Sequence, residues 1–119
     1  MDDYKIIARL LAAIKASEES PAFDVALVDE KVLKTTSTRR DLLAVKLQKA
    51  NYIEGLLVID GIDNQASPVV MWNQSKPEIT LAGLEWMETN APLRKAITEL
   101  KDAGTSIAAK IVSNMLQKM

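Results

Sequence analysis

The chain has 119 residues, 48% of them apolar and 26% charged, with 15 basic and 16 acidic side chains and neither cysteine nor histidine. That composition suits one ordinary domain around a single core, and it excludes a disulfide framework, a thiolate nucleophile, an imidazole base and the usual zinc sites, each of which needs sulfur or an imidazole nitrogen. The opening Met1-Asp2-Asp3-Tyr4-Lys5 lacks the basic-then-apolar run of a secretory signal, and the central aliphatic run Leu56-Leu57-Val58-Ile59 is far too short for a membrane span. The expectation is a cytoplasmic protein with no membrane partner.

A first helix is predicted from about Asp3 to Ala16, because Ile7, Leu10, Leu11 and Ile14 recur at helical spacing, widened by Ile6 and Ala13. Asp2 or Asp3 can cap it, and the polar run Ser17 to Pro21 ends it. Phe23 and Val25 follow as expected buried anchors, and Asp29 begins a short second helix that stops near Thr35. Ser37 or Thr38 is the expected cap of a third helix reaching about Ala50. Leu43, Leu47 and Ala50 share its apolar face, whereas Thr38, Asp41, Leu42, Val45 and Lys49 project away. Arg39 and Lys46 flank the stripe, with stems able to lie along it and charged ends in water.

Asn51-Tyr52 reads as a helix exit, and Ile53 to Ile59, rich in β-branched residues, as a strand. Asp60-Gly61 starts a turn, and Val69-Val70-Met71-Trp72 is a second strand or a flap. Glu78-Ile79-Thr80 forms a short strand whose threonine caps a helix from Leu81 to Thr89, with Leu81, Leu84 and Met87 as apolar members and Asn90 as its stop. Pro92 suits a helix first turn. From there Leu93, Ile97, Leu100, Ile107 and Ile111 run in near-heptad rhythm, broken at Gly104 and Thr105.

The fold class is therefore mainly α with a small β-hairpin: a winged helix-turn-helix over residues 1–91 with an extra C-terminal helical segment over 92–119. That segment either folds back on the core or pairs with a second copy as a homodimer. Trp72 and Trp86 are expected core or hairpin anchors. The runs Asn51-Tyr52-Ile53-Glu54-Gly55 and Ile79-Thr80-Leu81-Ala82-Gly83-Leu84-Glu85-Trp86-Met87-Glu88-Thr89-Asn90, with the opening Met1 to Ile7 and Phe23-Asp24-Val25, resemble the YjcQ family of small bacterial and prophage-encoded proteins. The resemblance implies a winged-helix fold and no catalytic residue. The chain departs from it with Arg40 where a large apolar side chain is usual and Asn51 where glycine is.

Charge is unevenly laid out. Residues 1–30, 31–49, 50–92 and 93–119 carry net charges of −4, +5, −5 and +3, so the one dense basic cluster is Lys31, Lys34, Arg39, Arg40, Lys46 and Lys49, interrupted by Asp41 alone. Such a patch can neutralise phosphates on an otherwise near-neutral protein. Double-stranded DNA is accordingly the expected partner, contacted by Thr38, Arg39, Arg40, Lys46 and Lys49, with arginine able to read guanine and lysine supplying charge. Against it stand a hairpin whose acids Asp60 and Asp63 face only Lys76 as a cation, and a pI near 5.5. The alternative is a non-catalytic protein-interaction module on the same scaffold. No catalytic residue, cofactor or metal site is expected: Glu85 and Glu88, or Asp60 and Asp63, are bare acid pairs with no third ligand, and Gly55, Gly61, Gly83 and Gly104 form no phosphate loop.

Overall fold

The first apolar stripe becomes α1 (Asp3–Ser17), and the computed structural model, which describes residues 3–18, 20–59 and 67–102, makes it the central element. Ile6, Leu10, Leu11, Ala12, Ala13 and Ile14 are all buried, because the alanines let other elements approach closely on several sides. A 3-10 turn (Val25–Val28), absent from the sequence reading, precedes α2 (Glu30–Leu33), and Asp24 and Asp29 cap them by accepting from the Ala26 and Lys31 amides. Val25, expected as a buried anchor, is 42% exposed. The turn folds Val28 into the core in its place.

Lys34 ends α2 with φ 57° and ψ 45°, so the chain reverses within Lys34-Thr35-Thr36 and enters α3 (Ser37–Lys49). The cap of α3 is Thr36, whose hydroxyl accepts from the Arg39 amide at 3.2 Å, rather than the expected Ser37 or Thr38. Asn51 takes φ 66°, the left-handed conformation that asparagine tolerates best among side-chain-bearing residues.

The expected long strand breaks in two. β1 (Ile53–Glu54) pairs antiparallel with β4 (Glu78–Ile79), and β2 (Val58–Ile59) pairs with β3 (Val69–Val70). Together they make one hairpin with a kink at mid-length. Gly55 permits the kink: its φ is 90°, and an added Cβ would lie 2.2 Å from the Lys76 carbonyl oxygen. Ser75 bridges the gap, its hydroxyl accepting from the Leu57 amide at 2.9 Å and donating to the Met71 carbonyl at 2.8 Å. Glu18, at the exit of α1, accepts from the Ile79 amide at 2.8 Å and so ties β4 to α1.

Thr80 caps α4 (Leu81–Thr89) as expected, accepting from the Gly83 amide at 3.0 Å and donating to the Asn51 carbonyl at 2.6 Å. Leu81, expected on the apolar face, is 85% exposed, because α4 turns Gly83 and Met87 inward. α5 (Ala91–Asp102) then lies along α1 with Leu93, Ala96, Ile97 and Leu100 buried. This part of the C-terminal segment folds back on the core; Gly104, Ile107 and Ile111 lie outside the described residues. The arrangement is mainly helical with a small hairpin, a winged-helix-like fold with a C-terminal helical addition. No described helix is long and apolar enough to cross a membrane.

Gly83 is where α4 meets the backbone before β1 directly: a Cβ there would stand 2.1 Å from the Tyr52 carbonyl oxygen and 2.8 Å from Ile79 Cγ2. Gly83→Ala should therefore destabilise the protein by about 1–3 kcal/mol through overpacking. A urea midpoint equal to that of the parent would contradict this contact.

Candidate functional site

α3 carries the five residues singled out for DNA contact, and the structure divides them. Thr38, Lys46 and Lys49 are exposed. Arg39 forms a two-pronged ion pair with Asp3 on α1, its Nε donating to Oδ1 at 3.1 Å and its Nη2 to Oδ2. Both side chains of that pair are 42% exposed, so it is open to competition from other anions. Arg40 turns inward. Its Nε donates to Asp41 Oδ1 at 2.8 Å, its Nη1 donates to the Val28 carbonyl at 3.0 Å, and its guanidinium carbon lies 5.7 Å from the centroid of the Trp72 ring.

Asp41, read from the helical wheel as pointing away, is buried together with Val45, whereas Ala50 is exposed. The wheel sees one covered face, but α3 has two: α1 packs on one side and β3 on the other. On the hairpin side the Asp41 carboxylate accepts from the Val70 amide at 3.2 Å and from the Trp72 indole Nε1 at 2.9 Å as well as from Arg40. Seven residues further along α3, Gln48 grips the hairpin again: its Oε1 accepts from the Leu56 amide at 2.8 Å and its Nε2 donates to the Leu56 carbonyl at 3.4 Å. Phe23 stacks on Trp72 with ring centroids 5.6 Å apart, and Tyr52 stacks on Trp86 at 4.3 Å, so both tryptophans serve as packing anchors.

What α3 offers to solvent is therefore a stripe of Thr38, Lys46 and Lys49 with Leu42 half-buried between them and Arg39 at its edge. Asp41, the only acid in α3, is inside. Among the described residues neither Lys46 nor Lys49 has an ion-pair partner. The hairpin contributes no free cation, since Lys76 Nζ donates to the Ser20 and Pro21 carbonyls at 3.1 and 3.4 Å. Its outer face is apolar instead: Leu57, Ile59 and Val69 are each about half exposed, and Ile59 stands opposite Val69. Asp60 and Asp63 lie outside the described residues. Glu85 and Glu88 are both exposed on α4, and no group of three acids among the described residues is placed to hold a metal.

The family model described as "YjcQ protein" matches residues 4–104. The chain belongs to the YjcQ family. No curated protein and no solved structure matches it significantly. The match ends just past α5, so the family region takes in the helix that packs on α1 as well as the winged-helix elements. Within the matched region, the Arg40 guanidinium packs over the Trp72 ring.

Sequence reasoning missed the Asp41 and Gln48 anchors. A signal was present for the first: a lone acid inside a basic helix, with a tryptophan downstream whose buried indole N–H requires an acceptor. Asp41→Ala should cost about 3–5 kcal/mol, since it strands the Arg40 charge in a site where its side chain is only 15% exposed. Denaturant unfolding followed by tryptophan fluorescence reports this; a loss well below 1 kcal/mol would show that the network carries little of the fold's stability.

Proposed function

We propose that this YjcQ-family chain binds duplex DNA through the exposed stripe of α3, holding phosphates rather than reading bases. The observation that carries this reading is the exposed, acid-free row of Thr38, Lys46 and Lys49 on the helix that a winged-helix frame presents to a major groove. Arg40 is committed to internal partners and Arg39 is engaged by Asp3 in an exposed pair, which leaves lysine, a point charge, as the main free donor. Binding of this kind is electrostatic, of low sequence preference and steeply salt-dependent. Any regulator-like selectivity rests on DNA shape rather than base edges.

A second reading, a non-catalytic protein-interaction module on the same frame, is favoured by the apolar outer face of the hairpin, where Leu57, Ile59 and Val69 lie open and no described cation accompanies them. A fluorescence-anisotropy titration against random duplex at low and physiological salt separates the two. The DNA reading expects binding whose logarithmic salt slope falls by about two when Lys46 and Lys49 are both changed to alanine, about 0.9 per lost phosphate contact. Arg40→Ala should act through stability instead. No binding at low salt, or an unchanged slope in the double variant, would contradict the DNA reading and leave the interaction module.

A further inference from the structure

Among the described residues Arg9 carries the one charged nitrogen that is buried without a hydrogen-bond partner, its Nη1. Arg9 lies one turn beyond Lys5 on α1, and the two line a recess of about 130 Å³ whose other wall is Ala96, Glu99 and Leu100 of α5. The recess shares Lys5, Ala96 and Glu99 with an adjoining depression of about 530 Å³ that also takes in Lys95 and the first turn of α5 at Ala91 and Pro92. The small side chain of Ala96 leaves space between the helices here, where a leucine would fill it.

The charges of this recess do not balance. Among the described residues, Lys5 and Arg9 line the recess and Lys95 the adjoining depression, against one acid, Glu99, that borders both. That acid is held loosely by Lys5, at 3.9 Å with both side chains nearly half exposed, an arrangement worth little in water. Burial lowers the Arg9 guanidinium from its ordinary value by desolvation, in keeping with its buried, unpartnered Nη1. A buried donor left unmade costs free energy that an incoming acceptor recovers. The planar guanidinium is matched to the paired oxygens of an oxyanion, and two further ammonium groups at the mouth favour a dianion over a monoanion.

We propose that the recess between α1 and α5 binds the phosphate group of a small phosphorylated ligand, with Arg9 receiving the phosphate oxygens and Lys5 and Lys95 flanking the mouth. The site uses no residue of α3 and stands independently of the DNA reading. It also gives the C-terminal helix a part in function, since Ala96, Glu99 and Leu100 of the recess wall belong to α5.

The test is thermal unfolding of the full chain in millimolar inorganic phosphate or pyrophosphate, against chloride and acetate at matched ionic strength. Phosphate should raise Tm progressively with concentration, as a ligand bound only to the folded state does, while chloride and acetate should not. Arg9→Met should raise Tm in the absence of phosphate, by removing the buried Nη1 donor that lacks a partner, and should abolish the phosphate-dependent rise. Glu99→Gln, which removes the acid bordering the recess, should move the phosphate response to several-fold lower concentration, and this variant decides the matter if Arg9→Met does not fold. An equal rise in chloride or acetate, no rise in phosphate, a rise of unchanged size in Arg9→Met, or an unmoved response in Glu99→Gln would each overturn the proposal.

Discussion

One carboxylate connects the helical part of this protein to its hairpin. Asp41 holds its α3 neighbour Arg40, the Val70 amide and the Trp72 indole at once, so one side chain of α3 and two groups of the hairpin side converge on two oxygen atoms. Burying such an ion pair brings little net stability by itself, since desolvation offsets much of the attraction. Its value here is register. The hairpin strands are two residues each and pair only two by two, too little to fix their own position. The carboxylate fixes which backbone amide of β3 faces α3, Gln48 repeats the grip at Leu56, and the kink at Gly55 and Ser75 allows Trp72 to reach its acceptor.

This arrangement sets what α3 has left to offer. A basic cluster read along the chain counts charges; the folded protein spends two of them, one on the wing and one on the start of α1. The remaining lysines supply charge without direction, which suits contact with a phosphate backbone more than recognition of a base. The hairpin, with its one described lysine tied to the Ser20–Pro21 backbone, adds apolar surface rather than cations.

Much of the architecture was legible because it rests on local rules. The helical period of α1, the proline and aspartate punctuation after it, the Thr80 cap and the Asn90 stop all speak through neighbours within a few residues, and α1 and α4 emerge with nearly the expected bounds. The errors cluster where distant elements decide. Asp41 and Val45 are buried because β3 arrives from about thirty residues away, which no periodicity within α3 can report. Leu81 is exposed and Gly83 buried because α4 must approach the Tyr52 carbonyl closely, a backbone contact that an apolar count overlooks. The fate of Arg39 and Arg40 belongs to the same class: their partners are Asp3 on another helix and a carbonyl at the end of a turn that the sequence did not signal.

The central claim, that the Asp41 carboxylate locks the hairpin to α3, is tested most directly by native-state hydrogen exchange at the Val70 amide and the Trp72 indole N–H. If the lock holds, both protons exchange only through the opening that also exposes the amides of α1, with the same free energy and the same denaturant dependence. Rapid exchange at these two positions while α1 stays protected would show that the hairpin moves free of the helices and that the account is wrong.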